Sequence, residues 1–214
     1  MQEVNLHRWI RKNGTYVSSF GGSIITKSLS CKVCLLGDGN VGKTSLRRRY
    51  LGEGFKDTYA LTIGADFAAK RVNINSWKIT CNIWDLAGQS RFKKLRETYY
   101  RGVSGVLCVY DISRRDTLEI IPKWIEELLS NNENKLVPMV LIGNKADLKK
   151  EQEDFITTEE GIAFAKRMSE LYHQDIIHIE SSAKTGENVE KAFISLIEII
   201  LENYLKLLNE ANNS

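Results

Sequence analysis

Apolar runs alternate with amphipathic stretches along the chain. Residues 31–36, 105–111 and 137–143 form short and nearly continuous apolar runs, and residues 176–180 form a weaker one. Runs of this length predict buried strands. Residues 65–74 and 77–84 also favour strands, with Asn75 and Ser76 between them as a hairpin turn. The pattern therefore predicts six strands.

Apolar positions at helical spacing fill the intervals between these strands. They predict helices over residues 43–51, 116–130, 158–172 and 187–208. Pro122 falls inside the second helix, where it removes a backbone hydrogen bond, so we expect a bend or a later helix start. The alternation predicts an α/β fold in which a six-stranded, mostly parallel sheet carries helices on both faces. The strand at 65–74 would be antiparallel because a hairpin joins it to the next strand.

The composition is that of one globular domain with a short appendage. The chain has 214 residues, of which 43% are hydrophobic and 27% charged, as in ordinary globular proteins. Its apolar runs are shorter than a membrane span, and its first residues lack a secretory signal. With four cysteines and no disulfide framework, we expect a reduced, cytoplasmic setting. Cys31 and Cys34 should face opposite sides of a strand, so we expect both to be structural.

Residues 1–30 differ from the rest of the chain and carry its excess of positive charge. They hold Arg8, Arg11, Lys12 and Lys27 against Glu3, which accounts for the whole formal charge of +3. This charge is too small to indicate nucleic-acid binding. Three alternatives stay open for this extension. One is a hairpin of residues 15–20 and 23–27 around Gly21-Gly22, another a basic amphipathic helix for a membrane or a partner, and the third a disordered tail. The expected division is an extension at 1–30, a globular domain at 31–208 and a polar tail at 209–214.

A glycine-rich stretch, GDGNVGKT at residues 37–44, follows the first predicted strand and opens the first predicted helix. It fits the pattern G-x-x-x-x-G-K-[ST], in which backbone N–H groups cradle phosphates at a helix N-terminus. Lys43 would bring positive charge to the terminal phosphates, and Thr44 would offer a hydroxyl to Mg²⁺. The stretch predicts a nucleotide phosphate site without naming the base.

The segment that follows the second hairpin strand contains three residues whose chemistry suits metal binding and hydrolysis. Asp85 can hold the Mg²⁺ shell through water, Gly88 can offer its N–H to a γ-phosphate, and Gln89 can orient an attacking water. Thr62, in the segment before the hairpin, could complete the Mg²⁺ shell when a γ-phosphate is present.

Two further segments follow predicted strands and favour guanine. Asp147, in Asn144-Lys145-Ala146-Asp147, can accept hydrogen bonds from the N1–H and exocyclic amine of guanine, which adenine does not offer. The stem of Lys145 can lie over a ring face. Residues 181–184, Ser-Ser-Ala-Lys, can present a backbone N–H to the guanine O6.

The segments GDGNVGKTS, TIGADF, WDLAGQSRF, GNKADL and SSAK stand in the order and spacing of the Ras superfamily of small GTPases. The resemblance covers about residues 30–208, and residues 67–110 are most similar to the Rab branch. It implies a P-loop GTPase fold and a molecular switch that binds GTP and GDP with Mg²⁺ and hydrolyses GTP. It also implies effectors, a GTPase-activating protein and an exchange factor as partners.

The resemblance implies roles residue by residue. Catalysis would rest on Gln89 and Lys43. The phosphates would be wrapped by Gly39, Asn40, Val41, Gly42, Lys43, Thr44 and Ser45. The base would be held by Phe55, Asn144, Lys145, Asp147, Ser182, Ala183 and Lys184. The switches would contain Tyr59, Thr62, Asp85, Gly88 and Gln89. The effector surface would be an aromatic triad of Phe67, Trp84 and Tyr99.

The sequence departs from the Rab pattern in three places. No cysteine follows Cys108, so we expect no lipid anchor at the C-terminal end. Leu86 stands where Thr is usual, and residues 1–30 have no counterpart. The resemblance also implies that Gly39 leaves room for a partner's arginine finger and that, with Gln89 present, hydrolysis is slow alone and fast with an activator. A GTP-binding scaffold without hydrolysis is the alternative, and an ATPase or nucleotide kinase is disfavoured by Asp147.

Overall fold

The computed structural model describes residues 10–12, 15–17, 27–54, 62, 64–150 and 154–212. Their strands are β1 (Ile10–Lys12), β2 (Thr15–Val17), β3 (Lys27–Leu36), β4 (Ala65–Ile74), β5 (Trp77–Leu86), β6 (Gly105–Asp111), β7 (Met139–Asn144) and β8 (Ile177–Ser181). The helices are α1 (Lys43–Tyr50), α2 (Lys93–Tyr100), α3 (Arg115–Glu119), α4 (Ile121–Asn131), α5 (Thr158–Tyr172) and α6 (Val189–Asn212). Short 3₁₀ helices cover Ser90–Phe92 and Ala146–Lys150.

The main sheet has six strands in the order β4-β5-β3-β6-β7-β8. Only the β4–β5 pair is antiparallel among these pairings. The predicted sheet and its antiparallel hairpin strand are therefore confirmed. In the register of the last three strands Asp111 lies beside Asn144, which lies beside Ser181. Three strand ends thus meet at one edge of the sheet.

Apolar side chains cover both faces of the sheet. On one face, Leu46 of α1 and Phe193 of α6 belong to a buried cluster that also contains Cys31. On the other face, residues of α2 to α5 form a second cluster, which contains Cys34. The two cysteines therefore face opposite sides, as predicted, and all four cysteines are buried and free. Within the described ranges, no helix has both the length and the apolar character needed to cross a membrane.

Pro122 divides the helix that the sequence predicts over 116–130. The segment forms α3 and then α4, and Pro122 stands in the first turn of α4. Its missing N–H costs nothing there, because first-turn N–H groups have no partner within their own helix. The later start expected from Pro122 is thus confirmed. At the start of α5, Thr157 and Glu160 bond reciprocally to each other's backbone N–H.

Residues 10–12 and 15–17 form a strand pair that differs from the hairpin among the three alternatives left open for the extension. β1 pairs with β2, with Ile10 opposite Val17 and Lys12 opposite Thr15. Asn13 and Gly14 stand between these strands in the sequence, and an Asn-Gly pair strongly favours two-residue hairpin turns. The expected pairing around Gly21-Gly22 lies mostly outside the described residues. β3 begins at Lys27, before the expected domain start at residue 31.

Candidate nucleotide site

The loop between β3 and α1 is shaped by two glycines. Gly37 has a φ of 139°, and a Cβ there would lie 2.1 Å from the carbonyl oxygen of Val109. Gly42 has a φ of 97°, and its Cβ would lie 2.2 Å from Asn144 Nδ2. Only glycine fits both positions. Asn40 has a φ of 65°, which Asn tolerates better than most residues.

Lys43 is a buried cation in this loop. Its Nζ donates to the carbonyl oxygens of Gly37 at 2.7 Å and Asp38 at 2.8 Å. Burial lowers the pKa of Lys43 to about 8, against the carboxylates of Asp85 and Asp38, which raise it. An ammonium that is desolvated in this way gains from a nearby anion. The loop therefore suits a phosphate group.

Next to Lys43, the side-chain oxygen of Thr44 lies within hydrogen-bond distance of side-chain oxygens from two other residues. Thr44 Oγ1 donates to Asp85 Oδ2 at 2.5 Å and lies 2.8 Å from Thr62 Oγ1. Asp85 is 1% exposed, and burial raises the pKa of its carboxyl group. Its Oδ1 is buried and has no hydrogen-bond partner among the described residues. Hydroxyl and carboxylate oxygens are the ligands that Mg²⁺ prefers, so Thr44, Thr62 and Asp85 fit the expected metal site.

The segment after β5 lies against the phosphate loop. A Cβ at Gly88 would lie 2.5 Å from the carbonyl carbon of Asp38, so this contact needs glycine. A Cβ at Gly39 would lie 3.8 Å from Gln89 Cγ, an ordinary contact distance. Gln89 therefore lies beside Gly39, with room left at that glycine.

Arg96 of α2 holds this segment in place, a role that the sequence does not predict. Arg96 is 2% exposed and donates from Nη1 to the carbonyl oxygens of Ala87 and Gln89, at 2.8 and 2.7 Å. Its Nε and Nη2 donate to the two carboxylate oxygens of Glu127 in α4. Tyr100, one turn after Arg96, donates to the same carboxylate. A charged residue normally indicates an exposed position, so its burial here was not expected.

Asn144 connects the phosphate loop to the loop after β8. Its Nδ2 donates to the carbonyl oxygen of Val41 at 2.8 Å. Its Oδ1 accepts from Ser181 Oγ at 3.3 Å and from the N–H of Ala183 at 3.2 Å. Asn144 is 1% exposed, so these bonds replace water that its amide cannot reach.

The remaining base-site residues lie around this connection. Asp147 Oδ1 accepts from Ser182 Oγ at 2.5 Å, and Lys184 Nζ is 4.0 Å from Asp147 Oδ2. Lys145 has a φ of 71°, and its Nζ lies 2.6 Å from Oδ2 of the buried Asp111. Asp111 was not among the expected site residues.

The structure thus brings most of the predicted site residues to one edge of the sheet. We call two groups the phosphate half and the base half. The phosphate half is Lys43, Thr44, Thr62 and Asp85, and the base half is Asn144, Lys145, Asp147, Ser182, Ala183 and Lys184. Ser45 lies in the first turn of α1. Phe55 and Tyr59 lie outside the described residues.

The aromatic triad forms a separate surface on β4, β5 and α2. The ring centroids of Phe67 and Trp84 are 4.9 Å apart, as are those of Trp84 and Tyr99. Phe67 is 49% exposed, and the other two are partly buried. The structure therefore brings the three predicted residues into contact.

A comparison with known families agrees with this geometry. The family described as the Ras family matches residues 32–202, which is most of the 214-residue chain. The match includes both halves of the site, the segment held by Arg96 and the aromatic triad. The chain therefore belongs to the Ras family and is a small GTPase.

Proposed function

We propose that this small GTPase is a Rab-like molecular switch that binds GTP and GDP with Mg²⁺ and hydrolyses GTP. The observation that carries the proposal is the chain of contacts from Thr62 to Thr44 to Asp85. It joins a residue of the segment before β4 to the end of β5 through the first turn of α1. A ligand that changes the oxygens around this cluster would change the position of Thr62. Such coupling is how a loop can report phosphate state.

The residues of the site divide the chemistry among themselves. Lys43 would hold the terminal phosphates, since its buried ammonium forms hydrogen bonds to neutral carbonyl oxygens and would gain from a direct anionic partner. Thr44, Thr62 and Asp85 would hold Mg²⁺, which when bound neutralises charge that develops on the phosphates. Gln89, beside Gly39, would orient the attacking water through its side-chain amide. Asp147 would select guanine by accepting from its N1–H and amine.

A partner protein would accelerate GTP hydrolysis by inserting an arginine into the site. The position of Gly39 has room, because the nearest atom to an added Cβ is Gln89 Cγ at 3.8 Å. An arginine inserted beside Gly39 and Gln89 would add charge stabilisation worth roughly 10³–10⁵ in rate. We therefore propose slow hydrolysis by the protein alone and fast hydrolysis with an activating protein.

The output of the switch would be binding. The aromatic triad supports this, since a surface aromatic cluster is typical of protein interfaces. We propose effectors of the Rab type there, and an exchange factor acting on the nucleotide site. We also propose a cytoplasmic location, with peripheral membrane contact through the basic residues 1–30. Flotation with anionic liposomes at low and high salt tests the membrane contact.

The main experiment identifies the nucleotide and then follows its hydrolysis. The purified protein is denatured, and the released nucleotide is identified by ion-exchange chromatography. Phosphate release is then measured in single turnovers for wild type, Gln89→Leu and the matched control Gln174→Leu. The Gln174 side chain donates to the carbonyl oxygen of Val137 and contacts neither half of the site in the hydrogen bonds described. We expect guanine nucleotide, release slowed on the order of tenfold or more by Gln89→Leu because the water loses its orientation, and none with excess EDTA.

Two results would contradict this proposal. A bound adenine nucleotide would exclude guanine selection by Asp147. Equal and negligible phosphate release from wild type and Gln89→Leu, including with candidate activators, would favour the scaffold without hydrolysis.

A further inference from the structure

The last turn of α1 carries three consecutive arginines with different partners. Arg47 lies 2.5 Å from Asp66, and Arg48 lies 3.9 Å from Glu53. Arg49 instead crosses to the loop after β8, which follows it by more than 130 residues. Its Nε donates to the carbonyl oxygen of Ala183 at 2.9 Å, and its Nη2 donates to the carbonyl oxygen of Lys184. Among the described residues, no carboxylate forms an ion pair with Arg49.

The two bonds fix the orientation of two peptide planes in the base half. In a trans peptide the carbonyl and the N–H point in opposite directions. With both carbonyls turned toward Arg49, the N–H groups of Lys184 and Thr185 point away from it. The N–H of Thr185 donates to Ser182 Oγ at 3.1 Å, and Ser182 Oγ donates to Asp147 Oδ1. A hydrogen-bonded path therefore runs from Arg49 to the carboxylate of Asp147.

The loop also lies close to the stem of Arg49. A Cβ at Gly186 would lie 3.5 Å from Arg49 Cδ, and Gly186 has a φ of 91°. The loop is closed by the N–H of Gly186 donating to the carbonyl oxygen of Ser182. The bonds from the guanidinium thus add to those that hold this turn within itself.

The same helix begins at the phosphate half. Lys43 and Thr44 form its first turn, and Arg49 lies in its last. A short, rigid helix therefore joins both ends of the nucleotide site. Movement of the loop away from α1 would break the bonds of Arg49.

We propose that Arg49 is a positioning residue that holds the base half in its binding conformation and so slows release of guanine nucleotide. The inference rests on guanine binding as proposed above. It predicts that Arg49 affects how well the site distinguishes bases, because the path ends at Asp147.

The test compares Arg49→Gln with the matched control Arg48→Gln, one residue earlier in the same turn. Stopped-flow fluorescence follows the release of two nucleotides that carry the same fluorescent label. One is GDP, and the other is inosine diphosphate, which lacks the exocyclic amine. We expect Arg49→Gln to speed GDP release about tenfold, the loss expected for charge-assisted hydrogen bonds. The preference for GDP over inosine diphosphate should narrow by a factor of about three or more. Arg48→Gln should behave as wild type in both measurements.

Unchanged GDP release in Arg49→Gln would overturn the proposal. Faster release with an unchanged base preference would also overturn it, since a general loss of stability would have that result. If Arg49→Gln does not fold, Arg49→Lys serves, and its release rate should lie above that of wild type.

A separate measurement does not depend on nucleotide. Amide hydrogen exchange of residues 182–185 should be faster in the Arg49 variant than in wild type when both are free of nucleotide. If the wild type bound no guanine nucleotide, the proposed function would fail, while this measurement would still decide whether Arg49 orders the loop. Equal exchange in the two proteins would contradict the positioning role.

Discussion

The two halves of the nucleotide site pair their polar atoms differently. In the phosphate half, Asp85 has a buried oxygen that finds no hydrogen-bond partner among the described residues, and burial lowers the pKa of Lys43 to about 8. In the base half, Asn144 bonds to three groups of the protein, and Asp147 accepts from Ser182. The phosphate half bears a desolvation cost that a ligand and a metal would relieve. The base half supports the fold itself, so variants in the two halves should affect binding and stability in different proportions.

The largest effect is expected for Lys43→Ala in the phosphate half. GDP affinity should fall on the order of 10³-fold, because a desolvated phosphate contact loses its cation. The free energy of unfolding without nucleotide should change by about 1 kcal/mol or less, since removing a buried charge also removes its desolvation cost. Calorimetric titration with GDP and urea unfolding measure the two quantities.

Lys191→Ala is the control for this variant, because Lys191 is exposed on α6. It should leave both quantities unchanged. A loss of unfolding free energy in Lys43→Ala that equals its loss of binding free energy would show that the phosphate half is as structural as the base half.

For Asn144→Ala in the base half, we expect a larger loss of unfolding free energy and a smaller loss of GDP affinity than for Lys43→Ala. Its three bonds join two loops, and the carbonyl of Val41 would lose its partner. The free energy of unfolding without nucleotide should fall by about 2–3 kcal/mol, as for buried hydrogen bonds left unmade. GDP affinity should fall less than in Lys43→Ala. Urea unfolding and GDP titration again measure the two effects.

Asn131→Ala is a matched control, because the Asn131 amide makes a local bond to the carbonyl of Glu127 in its own helix. Asn131→Ala should lower the free energy of unfolding by much less than Asn144→Ala does. An Asn144→Ala protein that is as stable as wild type without nucleotide would remove the distinction between the halves.

The parts of this site that the sequence predicts are those with local signals. Gly37, Gly42 and Lys43 belong to one short stretch between a strand and a helix, and Asn144 directly ends an apolar run. Because ends of parallel strands share one edge, their convergence follows from the order of the elements alone. Local signals also predict the six strands, from their apolar runs, and the later helix start, from Pro122.

The parts that the sequence does not predict depend on contacts between distant segments. Arg96 reaches Glu127, and Arg49 reaches the loop after β8, yet each is one arginine among several charged neighbours. Hydrophobic periodicity assigns such residues to the surface. The β1–β2 pair is also not predicted, because Asn13-Gly14 and the nearby Gly21-Gly22 both suit a two-residue turn and the extension leaves several alternatives open.

The smallest effect concerns His178 of β8, the strand that ends at Ser181. Its Nε2 is 2.9 Å from the hydroxyl of Tyr110, and a Cβ at Gly143 or Gly161 would lie 3.2 or 2.4 Å from it. Burial lowers the pKa of His178 from its ordinary 6.5, and the Lys149 ammonium lowers it further, while the Glu180 carboxylate raises it. The unfolded chain therefore binds a proton at higher pH than the folded protein does.

Stability from His178 is thus complete above pH 6.5 and is lost as the pH falls through 6.5 toward the lower pKa of the folded protein. We expect the melting temperature in excess GDP to decline between pH 7 and 5.5, and His178→Asn to flatten that decline. His173→Asn is the matched control, because His173 is exposed and its φ of 51° suits Asn. The control should keep the wild-type slope. An equal slope in all three proteins would show that His178 does not couple protonation to the stability of the protein.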